Sequence, residues 1–74
     1  MGRINNHITI RGIIGKETEK AIQFTIQEID ALSELDEEKT EWFPFSQVDK
    51  IIRNPNGMDE LIVNEWILQR KGFI

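Results

Sequence analysis

"KAIQFTIQEID", Lys20 to Asp30, decides the architecture. Read with a period of two, Ile22, Phe24 and Ile26 share one side, and Ala21, Gln23, Thr25 and Gln27 share the other. Read with a period of about 3.6, Ile22, Ile26 and Ile29 make a helical stripe that continues to Leu32, and Phe24 falls off it. The local enrichment in Ile, Phe and Thr favours an extended chain. We read the stretch as a strand, with a helix as the alternative that would change the fold.

The neighbours agree with a strand. "HITIRGII", His7 to Ile14, alternates at first, with Ile8 and Ile10 on one face and Thr9 and Arg11 on the other. Gly12 interrupts the run as a bulge or a close-packed backbone position does. Gly15 to Thr18 reads as a polar turn. "ALSELDEEK", Ala31 to Lys39, is acidic and lacks β-branched residues, so it reads as an exposed connection, with room for one helical turn at Leu32 and Leu35. Thr40 to Phe45 returns to strand chemistry. Pro44 cannot donate to a ladder, so this strand is an edge or ends there. Val48, Ile51 and Ile52 fit one apolar helical turn or a short irregular segment. "NPNG", Asn54 to Gly57, signals a turn. Leu61 to Val63 is a short strand.

The C-terminal stretch "NEWILQRKGF" carries the signs of a short helix. Asn64 suits the N-cap, Glu65 the first turn, and Arg70 and Lys71 the last. Gly72 suits the left-handed position after the helix, with Phe73 returning to touch Leu68. About two turns cannot stand alone, so Trp66 and Ile67 are expected to pack on the sheet. The expected fold is β-rich α+β: a small curled antiparallel sheet or barrel of about four or five strands with a short C-terminal helix.

The chain has 74 residues and reads as one domain, 1–74. A domain of this size has a thin core. With no cysteine there is no disulfide framework and no thiolate metal site. No cofactor or metal is expected. No apolar run reaches membrane-spanning length, and no signal pattern opens the chain, so the expected place is the cytoplasm. The net charge of −4 opposes double-stranded DNA binding, which draws on a basic stripe. Most of the acid lies together, in Glu28, Asp30, Glu34, Asp36, Glu37, Glu38 and Glu41.

Catalysis has little support. His7 is the only histidine, and neither Ser33 nor Ser46 sits in a nucleophile motif. The acidic span from Asp30 to Glu41 has the length of a calcium loop, but Leu32 and Leu35 stand where a ligand and a glycine are needed. A solvated loop is the plain reading of that run, and a docking surface for a basic partner is the sharper one. "EWFPFSQV", Glu41 to Val48, places three aromatic residues close together. On a small barrel they could stack bases, but the flanking residues are acidic. We therefore assign at least half of Trp42, Phe43, Phe45 and Trp66 to the core. Trp42 is expected inside, and at least one of Phe43 and Phe45 near the surface as an anchor for a partner.

"TEKAIQF", "EWFPFSQV" and "LIVNEWILQRKG" together resemble small bacteriophage and prophage accessory proteins. These have a T-E-K-A strand, a W-x-P-x-S-Q-[IV] segment and a terminal [IV]-x-[EDQ]-W-[IL]-x-x-x-K-G helix. Thr18 to Ala21, Trp42, Pro44, Ser46, Gln47 and Val48 match, as do Val63, Glu65, Trp66, Ile67, Lys71 and Gly72. The family form often carries a basic residue after the proline, where this chain has Phe45. The resemblance implies an accessory protein of a mobile element in the bacterial host cytoplasm. The expected function is stoichiometric protein binding, of the kind by which anti-CRISPR proteins inhibit host defence. The candidate contacts are Glu34, Asp36, Glu37, Glu38, Glu41, Phe43 and Phe45. The partner would be a host or phage protein, for instance one that holds nucleic acid. Two alternatives stand beside this: a single-stranded nucleic-acid-binding small barrel, and a homo-oligomerising structural protein.

Overall fold

The computed structural model describes residues 6–30 and 37–73. Five strands and one helix follow in order: β1 (His7–Glu17), β2 (Ala21–Ile29), β3 (Lys39–Pro44), β4 (Val48–Ile52), β5 (Asp59–Asn64) and α1 (Glu65–Arg70). A 3-10 turn at Phe45–Gln47 joins β3 to β4. The sheet is antiparallel throughout, in the order β3-β2-β1-β5-β4. It is not closed into a barrel. The strand reading of Lys20 to Asp30 holds, since β2 runs from Ala21 to Ile29.

The register shows how strongly the sheet curls. The lower half of β1, His7 to Gly12, pairs with β5, whose far side carries β4. The upper half, Gly12 to Glu17, pairs with Ile26 to Ile22, whose far side carries β3. β3 and β4 thus occupy opposite edges and opposite ends. Laid flat, Pro44 and Val48 would be about 35 Å apart, at ~4.8 Å per strand and ~3.3 Å per residue. The Phe45–Gln47 link reaches at most about 14 Å. The two halves must therefore fold over one another. Gly12 sits at the fold. A Cβ there would lie 1.8 Å from the Thr25 carbonyl oxygen, and the β1–β2 register shifts between Arg11 and Gly12.

The folded sheet encloses Ile10, Ile22, Phe24, Ile26, Ile29, Phe43, Leu61 and Val63, with Ile67 and Leu68 added by α1. Burying each such side chain contributes about 1.5–3 kcal/mol. Lys71, just past α1, reaches across to β3. Its Nζ lies 3.2 Å from Glu41 Oε1 and 5.5 Å from the centre of the Phe43 ring.

The helix ends as expected. Gly72 has φ 85°, its N–H donates to the Gln69 carbonyl, and the Phe73 N–H donates to the Leu68 carbonyl. That is the Schellman pattern, with Phe73 packed on the core. The helix start differs. Asn64 holds the N-cap position without capping; its amide donates to Gln47 Oε1 at 2.9 Å instead. The Glu65 N–H donates to the Asn6 carbonyl at 2.8 Å. Trp66 does not pack on the sheet. At about 100° per residue it lies opposite Leu68, which takes the inner side with Ile67.

Two other segments depart from expectation. Gly15 to Glu17 stay in β1, and the turn comes later, where the Thr18 hydroxyl accepts from the Ala21 N–H at 3.1 Å. Val48 to Ile52 is a strand. Its register shifts between Val48 and Lys50, which brings Val48 and Ile51 to the same side at a spacing that imitates a helical turn. "NPNG" is a turn, with the Gly57 N–H on the Asn54 carbonyl at 3.2 Å. Among the described glycines positive φ is confined to Gly72, so this turn does not use it at Gly57. Among the described residues, no helix is long and apolar enough to cross a membrane.

Candidate protein-binding face

Alternation along β3 sends Glu41 and Phe43 inward and Thr40 and Trp42 outward. Pairing then builds the outer face. Trp42 stands opposite Gln23, Thr40 opposite Thr25, and Thr25 opposite Ile13. Trp42 is 41% exposed and Ile13 53% exposed. The two threonine hydroxyls lie 3.0 Å apart in a hydrogen bond. Gln23 folds over Gly15, where its Oε1 accepts from the Lys16 N–H at 3.3 Å, and a Cβ on Gly15 would meet it at 2.6 Å. The centre of this face is uncharged: one tryptophan, one isoleucine, two threonines and one glutamine.

Charge lies at its rim. Glu38 accepts from Gln27 Nε2, and exposed Glu37 precedes it, 3.9 Å from Lys39. Arg11 bonds Asp30 at 3.0 Å and lies 3.9 Å from Glu60. The Asp30 hydrogen bond, and then its charge, push the Arg11 pKa up from its ordinary value. This cation is committed to carboxylates, not presented for a phosphate.

The expected contact residues do not gather on one surface. Phe43 is 0% exposed, so it is corrected from surface anchor to core. Trp42, expected inside, takes the exposed position. Phe45 is half-buried against the core, and Glu41 is half-buried on the inner side with Lys71. Glu37 and Glu38 are exposed as expected. Glu34 and Asp36 lie outside the described residues. Sequence reasoning did not single out Ile13, which lies exposed on this face. It left Trp66 open between core and anchor and expected it on the sheet, yet it is 51% exposed beneath the Arg70 guanidinium, 5.4 Å from its ring centre. The missed signal lies in "EWFPF": with a period of two, Glu41, Phe43 and Phe45 form one set and Thr40, Trp42 and Pro44 the other, and turning the first set inward places two phenylalanines against the core for one tryptophan turned out.

A concavity lies between Ile14, Gly15, Glu17, Arg53, Asn54, Pro55 and Asp59. Its polar groups are already engaged. Asp59 accepts from the Asn54 N–H at 2.9 Å and the Ile14 N–H at 3.3 Å, and Arg53 holds Glu17 at 3.0 Å. It is a structural corner that ties the Asn54–Gly57 turn to β1.

Comparison with protein-family models, with curated proteins and with solved structures found no match to this chain.

Proposed function

We propose that this protein acts by stoichiometric binding to another protein, with the outer face of β1, β2 and β3 as the contact and Trp42 as its anchor. The observation that carries this reading is the exposure of Trp42, at 41%, on a regular strand whose outward neighbours are uncharged. Exposed tryptophan within a desolvatable surface is the residue type that most often dominates binding energy. Thr25, Thr40 and Gln23 add hydrogen-bonding groups around it. In the phage setting that the resemblance implies, the partner is a host or phage protein, and inhibition of a host defence protein is the matching role. The rim of Glu37 and Glu38 suits a partner with a basic surface, and chiefly quickens its approach.

The test has two steps. The tagged protein recovers a partner from bacterial lysate, and the partner is then purified and titrated. One-to-one saturation is expected. Trp42→Ala should cost about 2 kcal/mol or more, some thirtyfold in Kd. Trp66→Ala should leave Kd unchanged. Reversal of Glu37 and Glu38 to lysine should slow association and flatten its dependence on salt. Equal affinity of Trp42→Ala and the native chain would refute the assignment. Quenching of Trp42 fluorescence by an oligonucleotide at low salt, reversed by added salt, would favour single-strand binding instead.

A further inference from the structure

We propose that β3 is a self-complementary edge through which two copies of this chain pair antiparallel, with Thr40 facing Thr40 of the second copy. Among the described residues β3 ends the strand order. Which of its backbone groups face away from β2 follows from one bond. The Phe45 N–H donates to the Lys20 carbonyl at 2.9 Å, in register with the β2–β3 pairs Ala21 with Pro44 and Ile22 with Phe43. Hydrogen-bonded and non-bonded pairs alternate in an antiparallel ladder. Lys39, Glu41 and Phe43 therefore bond β2, while Thr40 and Trp42 direct their N–H and C=O groups outward. Pro44, whose nitrogen has no hydrogen, falls in the outward set, so the β2–β3 ladder is intact and the free edge is shortened at that end. The other edge is less regular, because the β4 register shifts between Val48 and Lys50, and a bulge discourages pairing.

Parity and charge then select the register. Residues opposite one another across an antiparallel pair point to the same side, so a symmetric pairing must place a residue of β3 opposite itself. Centring on Glu41 brings two carboxylates together at the closest kind of position. Centring on Trp42 sets Thr40 against Pro44, which lacks a donor, and sets Glu41 against Phe43. Centring on Thr40 places Lys39 opposite Glu41 of the second copy, twice. In that register Thr40 exchanges bonds with its own copy and Trp42 exchanges bonds with Glu38. Glu41 then lies between Lys71 of its own chain and Lys39 of the other. The antiparallel arrangement also sends the two acidic ends, marked by Glu37 and Glu38, to opposite corners. The twofold axis runs through the sheet, so both outer faces stay on one side. Two Trp42 side chains then stand about 14 Å apart along a continuous surface.

This pairing does not depend on the partner proposed above, and Trp42→Ala, which removes only an outward side chain, should leave it intact. Sedimentation equilibrium across a wide concentration range tests it. A reversible monomer–dimer equilibrium is expected for the native chain. Lys39→Glu, which sets like charges opposite one another twice, should shift it to monomer with an unchanged circular dichroism spectrum. The chain has no cysteine, so single cysteines report register. Facing Thr40 positions have Cα atoms about 5.5 Å apart, within disulfide reach, whereas the two Glu41 positions lie beyond about 7 Å. With an added oxidant, Thr40→Cys should form a covalent dimer and Glu41→Cys should not. A native chain that stays monomeric at millimolar concentration, a Lys39→Glu dimer as tight as the native one, or faster cross-linking through Glu41→Cys would each overturn the proposal.

Discussion

Trp42 and Phe43 are adjacent, aromatic and opposite in fate. Phe43 faces Ile22 across the ladder and lies under the Lys71 ammonium, fully buried. Trp42 faces Gln23 on the other side and is 41% exposed. One residue of register separates a core position from a surface position, because side chains alternate strictly along a strand. The difference is measurable. Phe43→Ala leaves a cavity in a closed core and should cost about 3–5 kcal/mol. Trp42→Ala removes a side chain that lies on the outer face, 41% exposed and outside the core, and should cost clearly less, about 1 kcal/mol. Urea denaturation of the two variants checks this. A Trp42→Ala penalty as large as that of Phe43→Ala would show that the tryptophan is part of the core after all. Size alone misleads here: the larger ring invites burial, but the strand's parity assigns the place.

At the scale of elements, the bulges matter most. Ile26 and Ile29 are both buried although three residues apart, because the β1–β2 register slips beside them. Val48 and Ile51 repeat the pattern in β4. A bulge adds one residue and turns a spacing of two into three, which is the spacing of a helix. That is why Lys20 to Asp30 admitted a helical reading, and why Val48 to Ile52 was read as a helical turn or a short irregular segment. The strand content of β1 and β2 was legible from β-branched alternation, that of β3 and β5 from short runs of strand-type residues, and the Schellman ending of α1 from Gly72 and Phe73. What was not legible depends on long-range register: the capping of α1 by the Asn6 carbonyl, and the Asn64–Gln47 bond that displaced the expected cap. Gly12 was read as a bulge or a close approach; it is the close approach, and the bulge lies opposite it in β2, where Gln27 is the extra residue. Replacement of Gly12 by alanine has a definite consequence. The methyl would lie 1.8 Å from backbone that is itself paired, so the bend of β1 must open. Gly12→Ala should cost about 2–3 kcal/mol, and for a domain this small the melting temperature should fall by about 10 °C or more. Gly57→Ala is the control, since nothing lies within 4 Å of a Cβ there. Equal melting of the two variants would mean that β1 does not depend on the close approach at Gly12.

The whole molecule is held by contacts distant in sequence. β1 pairs with β5 from His7–Asn64 to Gly12–Asp59, so the first described strand waits for the last. The folding-over at Gly12 also brings β3 to the start of β4, which the short Phe45–Gln47 link then keeps there. Such non-local pairing carries a loop-closure cost before it gains contacts, so folding in milliseconds to seconds is expected. α1 has a different part. It has fewer than two turns, which are unstable alone, and its inner side rests on a surface that exists only once the sheet has folded. Its contacts should therefore form after the transition state. Leu68→Ala should raise the unfolding rate and leave the folding rate nearly unchanged, while Leu61→Ala, in the β5 strand that pairs with β1, should slow folding. Stopped-flow chevrons of the two variants distinguish them, both positions being fully buried and their equilibrium losses comparable. If Leu68→Ala slowed folding as much as Leu61→Ala, the helix would already be docked in the nucleus, and the sheet would be closing around it instead of offering it a finished face.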